Sequence, residues 1–350
     1  MRRLIAYTHS RDDPASRFRF RQYVPYLEQA GWSVSLRTPR PQQPRQSPFR
    51  NPVLRYVHQQ LKLAFRRANR LRDVLSASDY DVAFLNRDLL ESHLLYERLL
   101  RLRNPRFIFD FDDAIFLGGR EAHFQWVCRH AARVTAGNEL LAREARRFSN
   151  KVSVLPTVIE VEKYLFRPDL SPPRVFRVGW CGSDRSIRQT LFPHLGLLVR
   201  LQARFGFDLV IMSKPRPDVP ENLLRWKYVE WSEIRETQLA SFFDAGIMPL
   251  TGDAYQQYKC GCKILQYMAA GLPAIASPVG INTKLLRHGQ SGFLAGTEEE
   301  WFRAIDALMG NDSLCRKLGS AGRALAAKKY SLKRWLPVLL ELLESVSRVP

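Results

Sequence analysis

Acidic residues are few for a chain of 350: 34 Asp and Glu stand against 54 Lys and Arg, a formal net charge of +20. That deficit points to an anionic partner (nucleic acid, an anionic membrane surface or a phosphorylated ligand) and leaves the fold open. Cysteine is scarce as well. Cys128, Cys181, Cys260, Cys262 and Cys315 are odd in number and irregularly spaced, and the one close pair, Cys260-Gly261-Cys262, has no second pair to complete a zinc site. Inert thiols in a reducing cytosol are the expectation. No apolar run approaches the ~18 residues of a spanning helix, so membrane contact is expected to be peripheral. The basic start, Met1-Arg2-Arg3, leads into a stretch too short for a signal-peptide core. No G-x-G-x-x-G follows a predicted strand, which removes the main support for a dehydrogenase. No G-x-x-x-x-G-K-S/T occurs either, which argues against that kind of nucleoside triphosphatase.

What is present is globular: 45% hydrophobic and 11% aromatic residues, in a length that suits two domains. The pattern alternates strand and helix. A strand over 4–8 leads through a polar loop to a helix capped by Ser16, running to about Ala30 and bent at Pro25. A strand over 32–36 completes a βαβ opening. Residues 39–52, rich in Pro, Gln and Arg, read as an exposed loop. An amphipathic helix follows over 53–75, with Leu54, Val57, Leu61, Phe65, Ala68 and Leu71 on one side and basic residues on the rest. Residues 1–75 hold sixteen Lys or Arg and four Asp or Glu. This helix is therefore expected to meet an anionic membrane surface. Strands over 81–85, 105–109, 133–136 and 152–155 alternate with helices over 89–102, 124–132 and 138–148. A proline-bearing hinge at 164–174 ends this series.

The alternation then restarts. Strands are expected over 175–180, 208–212, 228–230, 246–248, 274–276 and 293–295. Helices are expected from 186 or 190 to 205 and over 233–243, 298–309, 314–328 and 333–346. The prediction is an α/β chain of two doubly wound domains, with a ligand in the cleft between them.

Ligands of such sheets bind beyond the carboxyl ends of strands, which makes His9, Ser16 and Arg17 candidates, with the crowded carboxylates Asp110, Asp112 and Asp113. Residues 258–283 carry the strongest pattern. Lys259 and Lys263 lie one helical turn apart, Gly261 admits close backbone approach, and Gly271-Leu272-Pro273 stops the helix. Lysines at a glycine-containing helix entry suit an anionic ligand.

The second half resembles the retaining glycosyltransferases of the GT-B fold, glycosyltransferase family four. The resemblance rests on Met248-Pro249-Leu250, Lys259-Cys260-Gly261-Cys262-Lys263, Gln266 to Pro273, Ala276-Ser277-Pro278-Val279-Gly280 and Gly289 to Leu294. Ser16 to Arg19, Gln22-Tyr23, Asp110 to Ala114 and Gly179 to Ser183 extend it across most of the chain. It implies two Rossmann-like domains: an acceptor domain over 1–165, a nucleotide-sugar donor domain over 166–330, and a helix over 331–350 packing back on the first. It implies Lys263 on the donor diphosphate with Lys259 nearby, and Gln266 on the ribose. Gly182, Ser183, Gly261 and Trp231 fall among the donor-binding elements, Trp231 where the nucleobase is received.

Tyr258 and Gln266 stand where many relatives carry the glutamates of an E-x7-E motif, and Asp253 is the candidate substitute for the first. The usual Arg/Lys pair of the donor domain would be supplied by Arg185 or Arg188. Asp110, Asp112, Asp113 and His9 are the catalytic candidates, and Ser16, Arg17 and Asn138 the acceptor-binding ones. The implied reaction moves a sugar, with retention, to a glycan or lipid-linked acceptor at the inner face of a bacterial membrane. The nucleotide-sugar serves as co-substrate, with no cofactor and no metal.

Two rival readings attach to the same residues. Phe109-Asp110-Phe111-Asp112-Asp113-Ala114 resembles the D-x-D strand end of a haloacid-dehalogenase-type phosphatase. The positive charge alone fits a non-catalytic nucleic-acid or polyanion binder.

Overall fold

The computed structural model of the chain describes residues 1–10, 13–40, 48–90, 94–166 and 175–348. Parts of the expected features lie outside these residues: Arg11 and Asp12 of the first loop, 41–47 of the Pro/Gln/Arg stretch, 91–93 of the 89–102 helix, and 167–174 of the hinge. The chain divides into two compact units, Met1–Pro156 with Trp335–Pro350, and Thr157–Arg334.

Unit 1 is built on β1 (Arg2–Tyr7), β2 (Trp32–Arg37), β3 (Val82–Asn86), β4 (Phe107–Phe111), β5 (Arg133–Ala136) and β6 (Val152–Val154). These form one parallel sheet in the order β2-β1-β3-β4-β5-β6. All five residues of β3, Val-Ala-Phe-Leu-Asn, are buried, as are all five of β4, Phe-Ile-Phe-Asp-Phe. Near-continuous apolar runs of this kind belong to strands covered on both faces. The connections carry α1 (Pro14–Arg19), α2 (Val24–Gln29), α3 (Pro52–Leu75), α4 (Leu95–Arg103), α5 (Glu121–His130) and α6 (Glu139–Arg146).

Local chemistry corrects the expected boundaries. The helix anticipated over 16–30 breaks at Phe20 into α1 and α2, with a 3-10 turn between them. Its cap is Asp13, whose Oδ2 accepts from the Ser16 backbone at 3.0 Å, so Ser16 sits inside the first turn. Pro25 opens α2, where its missing N–H costs nothing. Strand β4 runs on through Phe111, which places Asp110 inside the sheet instead of in the loop beyond it.

Unit 2 repeats the plan. Its strands are β7 (Arg177–Cys181), β8 (Asp208–Ser213), β9 (Trp226–Glu230), β10 (Ala245–Met248), β11 (Ala274–Ala276) and β12 (Phe293–Leu294), in the parallel order β12-β11-β10-β7-β8-β9. Its helices are α7 (Asp184–Ser186), α8 (Leu195–Phe205), α9 (Glu233–Thr237), α10 (Leu239–Phe242), α11 (Cys262–Ala269), α12 (Asn282–Leu285), α13 (Glu298–Leu308) and α14 (Asp312–Tyr330). The helix expected to reach Phe205 is instead α7, a π turn, a 3-10 turn opened by Phe192-Pro193, and then α8. Trp180, Trp301, Leu198, Leu201, Ile211 and Ile247 belong to its core. The last helix, α15 (Leu332–Ser347), lies largely in unit 1, where Glu344 pairs with Arg2 at 3.2 Å.

Two features fix α11 on its sheet. A Cβ on Gly246 of β10 would lie 2.3 Å from the Tyr267 ring, so only glycine lets α11 approach this closely. The Tyr267 hydroxyl then accepts from the Cys181 amide and donates to the Ile247 carbonyl, both at 3.2 Å. One side chain thereby ties α11 to the ends of β7 and β10.

Candidate active site

In unit 2 the polar residues gather beyond the carboxyl ends of β7 and β10. Gly261 opens α11 in the left-handed region, at φ +67°. A Cβ there would also meet Leu285 Cδ1 at 2.1 Å, so a side chain would add displacement of that methyl to the backbone strain. From this start Lys263 reaches the loop after β7. Its Nζ donates to Ser186 Oγ at 2.7 Å and sits 4.9 Å from the centre of the Trp180 ring. Gly182 completes the cradle: a Cβ on it would stand 2.6 Å from Trp180 Cη2 and 2.9 Å from Lys263 Cε. Ser183 caps α7, accepting from the Ser186 amide at 3.3 Å. Lys259 and Arg185 approach the same aromatic ring, Tyr255, at 5.0 and 5.9 Å from its centre. Three cations thus gather here: Lys259 just before α11, Lys263 in its first turn, and Arg185 in α7.

The remaining donor-side candidates divide. Trp231 follows β9, and its indole N–H donates to Glu236 Oε2 at 2.8 Å, while Tyr164 donates to Glu236 Oε1 at 3.0 Å. The ring is held by a buried carboxylate. Gln266 is buried on α11 one turn beyond Lys263. Asp253 is occupied within its own loop. Its Oδ1 accepts from the Gln256 amide, and its Oδ2 accepts from Thr251 Oγ1 and Gln256 Nε2. Burial pushes this carboxyl up, but the hydrogen bonds outweigh it and leave the group below its ordinary value. Asp253 is thus tied into its own loop by these bonds, while its side chain stays exposed.

Unit 1 corrects the reading of the aspartates more sharply. Asp110 is fully buried. It pairs with Arg19 through both oxygens and also accepts from Asn86 Nδ2 at 2.9 Å and Thr135 Oγ1 at 2.7 Å. With no access and this many donors, it ties α1 to β3, β4 and β5. A nucleophile or an acceptor-orienting base needs an open face, which Asp110 lacks. The same burial removes the nucleophile from the phosphatase reading.

Asp112 and Asp113 are only half-buried. Arg87 donates to Asp112 Oδ1 from Nε and Nη2, at 3.1 and 2.9 Å, and to Asp113 Oδ2 at 2.7 Å. Arg87 follows β3 and is the one non-glycine residue with positive φ, +66°, among the described residues. The next residue, Asp88, pairs with Arg120 and lies 3.6 Å from His9 Nδ1. His9, Asp88, Arg87, Asp112 and Asp113 thus hang from the carboxyl ends of β1, β3 and β4, where parallel sheets bind ligands.

Ser16 and Arg17 are buried in α1, with the Arg17 guanidinium carbon 4.9 Å from the centre of the Phe18 ring. Asn138 caps α6, accepting from the Leu141 amide at 3.0 Å. Sequence reading missed Arg87, Asp88, Trp180 and Ser186 as partners. Arg87 and Asp88 sit just past a buried strand, a signal available in the sequence. Trp180 stands within the Gly179 to Ser183 element of the resemblance, with no role of its own assigned there.

Three comparisons bear on this geometry. Residues 195–311 match the family model described as glycosyl transferases group 1. A 70-residue stretch is 39% identical to EpsD of Bacillus subtilis (strain 168), a protein provisionally named a glycosyltransferase; it spans 19% of this chain and 18% of EpsD. Among solved structures, HepE of Anabaena in complex with UDP and glucose superposes with a TM-score of 0.71 at 16% identity, over 99% of this chain and 100% of HepE. Sucrose-phosphate synthase of Thermosynechococcus elongatus gives 0.74 at 16% identity, over 99% of each chain. A glycosyltransferase of Rickettsia africae gives 0.70 at 13% identity, over 100% of this chain and 99% of its own.

The fold is GT-B: two parallel-sheet α/β units throughout. The chain resembles GT-B glycosyltransferases over its full length in structure, and unit 2 carries the glycosyl transferases group 1 pattern. Glycosyl transfer is the class of reaction these matches support.

Proposed function

We propose that the protein transfers a hexosyl group from a nucleotide-sugar to a glycan or lipid-linked acceptor, with retention of anomeric configuration. The observation that carries the reading is Lys263, its Nζ held on Ser186 Oγ and over Trp180 at the carboxyl edge of the unit 2 sheet. A nucleoside diphosphate gathers negative charge as its glycosidic bond breaks. A cation fixed in advance at that point stabilises the transition state more than the ground state. HepE, of the same fold, has been described with UDP-glucose bound, and this supports a uridine donor as the first to test. In this reading Lys259 and Arg185 add to the phosphate field, Trp231 faces the base, and Gln266 meets the ribose.

Retention follows in the proposal from a leaving phosphate oxygen that takes the acceptor proton on the same face, so no protein nucleophile and no metal are needed. Asp112, Asp113 and His9 belong to unit 1, the proposed acceptor side. The proposed setting is the cytoplasmic face of a bacterial cell membrane in polysaccharide synthesis. There the basic, amphipathic α3 meets the anionic surface; none of the helices within the described residues is long and apolar enough to cross a membrane.

The test is thermal unfolding with UDP-, GDP- and dTDP-sugars. A donor at one hundred times its dissociation constant adds about 2.7 kcal/mol to stability. One nucleotide-sugar is expected to raise the melting temperature of the wild type and not of Lys263→Ala. A melt unmoved by every donor would sink the proposal.

A further inference from the structure

Helix α3 is turned the wrong way round for a helix that packs by its apolar side. The side facing its own unit carries His58, Lys62, Arg66, Asn69 and Asp73, all partly covered, with Arg70 and Val74 the two buried residues. The apolar stripe faces away: Val53, Leu61 and Phe65 are 68%, 65% and 61% exposed. Leu54, Val57 and Leu71 continue it along a helix of 24 residues, about 36 Å long. Soluble surfaces rarely leave an apolar stripe of this extent uncovered.

We infer that α3 is a hydrophobic insertion element, and that what covers its outward stripe is the interfacial zone of an anionic bilayer. The inference rests on the peripheral-membrane part of the reading above. It replaces adsorption through the basic side with insertion of the apolar side. Charge decides between possible occupants. Helix α3 carries six Lys or Arg and one acid, Asp73, near its end. Arg67 and Arg72 are exposed beside or within the stripe, placed for lipid phosphates once the apolar residues are seated. A second copy of the chain would bring an identical basic helix against this one, a repulsive arrangement.

The two modes of contact differ in salt dependence. Attraction between exposed charges is screened within about 8 Å at physiological ionic strength and within about 3 Å at 1 M. Burial of leucine and phenylalanine is not screened. Each such side chain contributes roughly 1.5–3 kcal/mol on full burial, so removal of two is worth at least about 100-fold in affinity.

The experiment is sedimentation of the full chain with vesicles of phosphatidylglycerol and phosphatidylcholine, or of phosphatidylcholine alone, in 0.1 and 1 M NaCl. The wild type is expected to prefer the anionic vesicles and to stay bound in 1 M NaCl. Leu61→Glu/Phe65→Glu is expected to lose binding about 100-fold while melting as the wild type does, both positions being exposed. Lys62→Ala/Arg66→Ala, on the inward side, is expected to change binding less than about 3-fold.

Three results would overturn the inference: unchanged binding in the Leu61/Phe65 variant, full release by salt, or a wild-type dimer that this variant splits into monomers. The donor melt, run without vesicles, reads unit 2 separately. A normal donor shift beside absent vesicle binding removes only the insertion element, and the reverse removes only the transferase reading.

Discussion

Gly182→Ala is the most direct test of the lysine cradle, because one methyl group acts on one functional side chain. The added Cβ would lie 2.9 Å from Lys263 Cε and 2.6 Å from Trp180 Cη2. Ordinary contact begins near 3.4 Å. Lys263 must therefore retreat by 3.4 − 2.9, about 0.5 Å, and the Trp180 rim by 3.4 − 2.6, about 0.8 Å. Trp180 is packed in the core and yields little, so the backbone at residue 182 shifts away from it, and the lysine stem gives way on its own side.

Overpacking of this kind costs about 1–3 kcal/mol of stability, and a misplacement near 1 Å at a reacting centre costs about 10²-fold in rate. Gly182→Ala is thus expected to fold, to melt a few degrees lower, and to release UDP from UDP-glucose 10- to 100-fold more slowly. Lys263→Ala, which removes the donor outright, is expected to lose about 10²–10³-fold. Initial rates of nucleotide release with matched unfolding curves separate the two effects. Wild-type turnover in Gly182→Ala would refute the need for so close a seat, since the methyl group cannot be accommodated without moving Lys263 Cε and the Trp180 rim or the Gly182 backbone.

Further predictions concern unit 1 and the thiols. Asp110→Asn leaves Arg19 buried without its carboxylate and is expected to cost about 3–5 kcal/mol in urea unfolding; an ordinary midpoint with lost transfer would return Asp110 to the chemistry. Arg87→Gly relieves a left-handed backbone worth about 1 kcal/mol and loses two half-buried ion pairs. Its melting temperature is expected to stay within a few degrees of the wild type. Burial raises the Cys315 thiol to about 12 and raises Cys128 as well, so both stay protonated at pH 8. Iodoacetamide at pH 8 is expected to spare both and to label the partly exposed Cys262 first, as peptide mass mapping would show.

Much of the architecture was legible because each strand carries its own signal. The strands expected over 81–85, 105–109 and 246–248 fall within two residues of β3, β4 and β10, and the glycine-punctuated segment at 258–283 announces itself locally. The breaks did not. The helix expected over 16–30 hides the interruption at Phe20, which is buried with its ring centre 4.7 Å from that of Phe84, a contact made by tertiary packing. Asp110 misled for a similar reason. Its meaning depends on Arg19, Asn86 and Thr135, which lie 91, 24 and 25 residues away. A carboxylate at the end of an apolar run reads the same whether it is open or sealed by such partners. Lys263 was legible from its place near a glycine helix entry; Trp180 and Ser186, which fix its ammonium, were not. The apolar and basic sides of α3 were also legible, but which side faces outward depends on tertiary contacts such as those of Arg70 with the Thr8 and Leu89 carbonyls.

Arg70 gives α3 one more property. Its guanidinium donates to the backbone carbonyls of Leu89, Arg37 and Thr8, at 3.1, 3.5 and 3.4 Å, and lies over the Tyr7 ring. Desolvation lowers it to about 10, so it stays charged at any physiological pH. With Val74, it is the only buried residue of the helix. Mechanically, α3 is held most firmly near its carboxyl end: over the roughly 27 Å from Pro52 to Arg70 its inward side is only partly covered and its outward side is open. The amides of that stretch should exchange with solvent well before those around Arg70 and Val74.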